Sequence, residues 1–154
     1  MTAYYLDSSA LVKRYAQEIG SSWITNLTNP LSSNSIFTAL VSGAEIVAAI
    51  ARKVRTGASP QQAAATAITI FKSHFRAEYL IVMTTPTVVE SAMHLAEKHG
   101  LRGYDAIQLT SALSVQSELN INDVNLSAFI SSDVNLNRAA LVEGLGVENP
   151  QEHL

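Results

Sequence analysis

Residues 4–15 read YYLDSSALVKRY, and this stretch decides the fold. Tyr4 to Leu6 has strand character, and Asp7 follows at once. Ser8 and Ser9 then offer hydroxyls that can cap a helix, because they accept from its free N–H groups. A helical pattern comes next, with Leu11, Val12 and Tyr15 on one side and Lys13 and Arg14 on the other. An acid at the C-terminal end of a first strand, facing a helix start, is where open α/β sheets place ligand chemistry. The reading of the remaining chain turns on whether Asp7 has partners.

The same grammar recurs. Ile36 to Val41 and Tyr79 to Met83 are short apolar runs, as is Leu126 to Ser131, and each is followed by a helical pattern. Gly146-Val147-Glu148 reads as a last short strand. Ile46, Ile50 and Val54 recur at four-residue spacing. Ser59 reads as an N-cap, with Pro60 at the first helical position and Gln62 completing a capping box. Ala64, Ile68, Phe71 and Phe75 form the stripe of that helix. The next helix opens at Thr85-Pro86 and is expected to bury Val89, Met93 and Ala96, and Tyr104 to Glu118 forms another. Apolar, non-alternating strands between helices predict an α/β fold, a mostly parallel sheet covered on both faces in three α/β/α layers. No internal repeat or linker divides the chain, so one domain over 1–154 is expected.

Composition narrows the function. The chain has 154 residues, 47% of them hydrophobic, which is enough for a real core. It has no cysteine, which excludes a disulfide scaffold, a thiolate zinc site and a Cys nucleophile, and which fits a reducing cytoplasm. No signal peptide or membrane-spanning run is expected. The net charge of −3 gives no global attraction to nucleic acid, so any such binding would need a local basic patch.

Most of the 13 acids sit among polar or terminal residues. Asp7, Glu45, Asp105 and Asp133 do not: they lie in apolar frames, at strand ends or near helix starts. Acids are rarely buried without a partner. Each aspartate could cap a helix, and Glu45 could be a surface residue. Together they predict one acidic cleft at the sheet's C-terminal edge, where mutual repulsion favours a divalent cation. The donors are hard oxygens, which suits Mg²⁺ or Mn²⁺. Ser8, Ser9, Ser131 and Ser132 flank two of the acids and can hydrogen-bond to them. Lys13, Arg14 and Arg52 are candidate phosphate contacts, and Arg52 follows Glu45 by seven residues on one helical face. His74, His94, His99 and His153 are scattered and form no site by spacing.

YYLDSSALVKRY, SGAEIVAAIARK, GYDAIQLTSAL and FISSDVNLNRAA, in that order, resemble the acidic motifs of PIN-domain ribonucleases, specifically VapC-type toxins of toxin–antitoxin modules. The resemblance spans essentially the whole chain. It implies a metal-dependent endoribonuclease with Asp7, Glu45, Asp105 and Asp133 as its acidic quartet, and Ser8 and Ser132 as supporting or water-positioning groups. It also implies a homodimer and a cognate antitoxin that lies over the cleft. The chain departs from the pattern in its long polar link, Asn120 to Asn125, where Asp123 reads as turn chemistry. An aspartyl phosphatase similar to the haloacid dehalogenase group would need an acid two residues after Asp7, where Ser9 stands. The other alternative is a catalytically inactive module that holds RNA or a protein partner.

Overall fold

A computed structural model describes residues 2–154, so the first position of the expected domain lies outside the described residues. Five parallel strands form one sheet: β1 (Ala3–Leu6), β2 (Ser35–Ala39), β3 (Leu80–Val82), β4 (Leu126–Ile130) and β5 (Val147–Glu148). Their spatial order is β3-β2-β1-β4-β5. From β1 the chain builds outward through β2 to β3, then crosses back to place β4 on the other flank of β1. The crevice between β1 and β4 is therefore the topological switch point, where ligands bind in open α/β sheets. Asp7 lies at that crevice, and its N–H donates to the Ile130 carbonyl at 3.1 Å.

Side chains alternate across the sheet and fill two cores. On one face Leu6, Ile36 and Ile130 meet Leu11, Ile24, Ile46, Ile50 and Phe71. These helical residues come from α1 (Ser8–Leu11), α2 (Ser21–Leu27), α3 (Ser42–Arg55) and α4 (Gln61–Ala77). On the other face Ala3, Tyr5, Ala39 and Phe129 meet Leu95, Leu109, Ala112 and Leu136. Those come from α5 (Pro86–His99), α6 (Gly103–Ile121) and α7 (Val134–Val142). Tyr5 and Phe129 stack with ring centroids 5.6 Å apart, joining β1 to β4. The expected three-layer α/β/α sandwich is the observed fold.

Local expectations fare unevenly. α5 opens at Thr85-Pro86 as read, with Thr85 capping it by accepting from Val88 N–H and Pro86 in the first turn. Ser59 does not cap α4: Pro60 occupies the cap position and no side chain bonds there. The α5 stripe is displaced by one residue. Val88, Ala92 and Leu95 are buried, while Met93 is 62% exposed and Val89 also faces outward. Asp123 sits in a left-handed turn with φ of 56°, as a turn acid can. Gly43 lets Phe75 pack close on the start of α3, because a Cβ there would meet the ring at 3.2 Å.

Candidate active site

Asp7 is 3% exposed and caps α1. Its Oδ1 accepts the Ala10 N–H at 3.0 Å and the Ser9 hydroxyl at 2.7 Å. Its Oδ2 accepts the Ser131 hydroxyl at 2.6 Å. Asp7 thus caps α1 and anchors the crevice serines in one geometry. The two hydroxyls also bind the turn after β4: Ser9 Oγ accepts the Ser132 N–H at 2.9 Å, and Ser131 Oγ accepts the Asp133 N–H at 3.0 Å. Asp133 caps α7 by accepting the Leu136 N–H at 3.0 Å.

Burial raises the Asp7 carboxyl from 3.8 to about 6, against the three hydrogen bonds that favour its charge, and Asp105 adds to the rise. Glu45 and Asp105 are also raised, each mainly by burial. Asp105 adds to the rise of Glu45, and Asp133 adds to that of Asp105. The four acids therefore feel one another in a chain running Asp7–Asp105–Asp133, with Glu45 joined through Asp105. Among the described residues, no three His, Asp or Glu side chains are already drawn together as a preformed ligand set.

Glu45, in the first turn of α3, is held from α6. Gln108 is 1% exposed, and its Nε2 donates to Glu45 Oε1 at 2.8 Å and to Ser42 Oγ at 2.9 Å. Its Oε1 accepts the Tyr5 hydroxyl at 2.6 Å. Burial raises the Tyr5 phenol well above its ordinary value, so Tyr5 stays a donor and fixes which way the amide points. Sequence reading missed Gln108. The signal was present, since Gln108 lies three residues after Asp105 and so shares its helical face.

Of the four serines expected to hydrogen-bond to the acids, three do, and Ser132 does not. Ser9 and Ser131, not Ser8 and Ser132, touch Asp7. Ser8 instead bears on Glu45, favouring its charged form. The Ser132 hydroxyl is buried and makes no hydrogen bond among the described residues. The physical reason is that β4 runs straight into the crevice, so the first residue after Ile130 is the one presented to Asp7.

A cleft of about 680 Å³ opens at Glu45, lined also by Ser8, Ser9, Arg52, Arg102 and Tyr104, with an apolar wall from Val12, Val41 and the alanines of α3. Arg52 shares it with Glu45. Arg102 and Tyr104, just before Asp105, were not singled out in the sequence. Lys13 and Arg14 do not reach it. After one turn of α1 the chain tightens into a 3₁₀ turn at Val12–Arg14, which redirects both side chains. Lys13 is 3% exposed. Arg14 pairs with Glu78 at 2.8 Å and donates to the Tyr79 hydroxyl at 2.7 Å. Both line a separate groove with Ser21, Thr25 and Asn26. Three of the four histidines find partners elsewhere: His99 with Glu143 at 2.7 Å, His74 with Tyr15 at 2.8 Å, and His153 stacked on Trp23.

A family model for the PIN domain matches residues 4–140. The chain belongs to the PIN-domain family. Two relatives from Mycobacterium tuberculosis support this, ribonuclease VapC45 of strain CDC 1551 / Oshkosh and ribonuclease VapC49 of strain H37Rv. Each is 33% identical over 115 residues, covering 75% of this chain and 78% of the relative. Among solved structures, the PIN fold is matched by VapBC2 from Rickettsia felis bound to a DNA fragment from their promoter, with TM-score 0.61 and 15% identity over 96% of this chain and 98% of that one. PAE2754 from Pyrobaculum aerophilum matches with TM-score 0.59 and 17% identity, over 98% and 85%. No helix among the described residues is long and apolar enough to cross a membrane.

Proposed function

We propose that this PIN-domain chain is a metal-dependent endoribonuclease, the toxin of a toxin–antitoxin module held inactive by a cognate antitoxin. One observation carries the reading: a buried carboxylate, Asp7, stands at the β1/β4 switch point, coupled to Asp105 beside a cleft bordered by Glu45 and Arg52. The names of the Mycobacterium relatives support RNA as the substrate. The VapBC2 likeness shows the fold alone.

The donor set suits a hard divalent cation. Three of its carboxylates are raised by burial and by a neighbouring carboxylate, and no cysteine or paired histidine competes. Asp7, Glu45, Asp105 and Asp133 would hold Mg²⁺ or Mn²⁺. Such a cation supplies a water of lowered pKa and offsets charge on the leaving oxygen. The chain's own groups do the rest. Ser9 and Ser131 orient Asp7, Gln108 orients Glu45, and Arg52 and Arg102 attract the phosphodiester backbone. A homodimer and the antitoxin complete the proposal. Exposed Met93 on α5 and Leu141 and Val142 on α7 are apolar surfaces open to protein partners. The cysteine-free composition supports a reducing cytoplasm, and the whole chain, 1–154, acts as one PIN domain.

One observation favours a second reading, a non-catalytic module that holds RNA or protein: the acids are not yet gathered as a ligand set. Calorimetric titration of Mn²⁺ into wild type and Asp7→Asn, beside an RNA cleavage assay, separates the two. The nuclease reading expects wild type to bind Mn²⁺ and cleave, and Asp7→Asn to lose cleavage. Folded wild type that neither binds Mn²⁺ nor cleaves RNA would overturn it.

A further inference from the structure

The cleft at Glu45 is chemically divided. Its acidic end is Glu45 with Ser8 and Ser9. Its wall is Val12, Val41, Ala44, Ala48 and Ala49, which offer no side-chain hydrogen bond. At its rim stand Arg52, Arg102 and Tyr104. A phosphate has no partner on such a wall, whereas a flat apolar group does. The three alanines follow the helical spacing that puts them on the cleft side of α3 together with Glu45 and Arg52. Their small side chains leave that wall shallow and even.

Tyr104, also lining the cleft, makes the same point. It is 63% exposed, although a tyrosine ring carries a large apolar surface. It immediately precedes Asp105, so an occupant against the ring lies next to the acidic centre. Neither Arg52 nor Arg102 is within salt-bridge distance of a carboxylate among the described residues. Both guanidiniums line the cleft and are available to anionic groups of its occupant, although Arg102 is near enough to Asp105 to favour its charged form. The occupant that matches is planar and apolar on its faces and carries negative charge beside them.

We propose that Tyr104 and the α3 alanine wall form a subsite for one unpaired nucleobase, stacked on the Tyr104 ring beside the scissile phosphate, with Arg52 and Arg102 holding neighbouring phosphates. The proposal rests on the ribonuclease reading and deepens it. It assigns base stacking to a specific side chain, and it requires the target nucleotide to be out of a duplex, because a paired base cannot present its face to a ring. Stacking of this kind tolerates every base, since each has a π-face.

The test uses the Asp7→Asn background, so that RNA survives, with fluorescence anisotropy in Mn²⁺. The probes are a 12-nucleotide oligoadenylate and a ribose–phosphate chain of the same length without bases. The subsite predicts that oligoadenylate binds about tenfold or more tightly than the abasic chain. Tyr104→Ala should remove most of that preference and leave abasic binding unchanged, and Tyr104→Phe should keep it. The exposed position makes misfolding of these variants a minor concern, and circular dichroism checks it. An undiminished preference in Tyr104→Ala overturns the subsite while leaving the nuclease reading intact. Failure of both probes to bind, in protein that still takes up Mn²⁺, overturns the RNA reading together with the subsite.

Discussion

Gln108 and Glu45, 63 residues apart in sequence, share a 2.8 Å hydrogen bond that ties α6 to the first turn of α3. The amide cannot flip, because the Tyr5 hydroxyl claims its oxygen at 2.6 Å and leaves the nitrogen for Glu45 and Ser42. A single buried side chain thus connects the central strand to Glu45 of the candidate site.

Gln108→Leu should therefore damage both fold and site. It leaves the Tyr5 hydroxyl without its acceptor, at a cost of about 1–3 kcal/mol for a buried polar group. It also frees the Glu45 carboxylate. Urea denaturation should show the lower stability, and Mn²⁺ calorimetry should show weaker binding in protein that is still folded. Unchanged Mn²⁺ affinity would mean that Glu45 needs no help from α6.

Ser131→Ala should move the acid limb of the cleavage-rate pH profile upward by about 1–2 units. The reasoning is that the Ser131 hydroxyl donates to the charged form of Asp7 at 2.6 Å. A hydrogen bond to a charged group is worth about 1.5–3 kcal/mol, and one pKa unit is about 1.4 kcal/mol. Ser131→Thr keeps the hydroxyl and should restore the profile. Ser132→Ala should leave it in place, since that hydroxyl touches neither acid among the described residues.

In chelator, the protein should lose stability as pH rises from about 4 to about 6. The folded Asp7 carboxyl holds its proton to about 6, against 3.8 ordinarily, so the folded state binds more protons than the unfolded state in that window. Above about 6 both states are ionised and the full penalty persists, roughly 3 kcal/mol. Glu45 and Asp105, also raised, act in the same direction. Asp7→Asn should remove most of the pH slope and raise the melting temperature at pH 7 more than at pH 4. A wild-type stability that climbs between pH 4 and 6 would contradict the burial of Asp7.

The basic residues should divide by location. Arg52→Ala should weaken RNA binding and make the log–log salt slope shallower by about 0.7, the value for one phosphate contact on a single strand. Arg14→Ala should leave RNA affinity unchanged and instead destabilise the fold, because Arg14 bonds Glu78 and Tyr79 away from the cleft.

These contrasts show which features were legible in the sequence. The strands were, because short apolar runs between helical patterns are a local signal, and Asp7 and Asp133 follow two of them, so a parallel sheet brings both to one edge. The site's supports were less so. Gln108 looks like any polar residue on a helix until Tyr5 and Glu45 are brought to it from other elements. Lys13 and Arg14 were misplaced because a tightening from α to 3₁₀ after one turn leaves no clear mark in hydrophobic spacing. Ser131 and Ser132 differ only in which one meets Asp7 when β4 ends, a matter of register. Tyr104 and Arg102 gain meaning only when α6 is set against α3.

The central claim is that Asp7, Glu45, Asp105 and Asp133 together cleave RNA with a divalent cation. The most direct measurement is cleavage of total cellular RNA by purified protein with Mn²⁺, followed by end mapping, with Asp7→Asn and chelator as controls. Discrete new ends that appear with wild type and Mn²⁺, and vanish in either control, are the predicted result. Cleavage by Asp7→Asn at the wild-type rate, or cleavage that persists fully in chelator, would contradict the account.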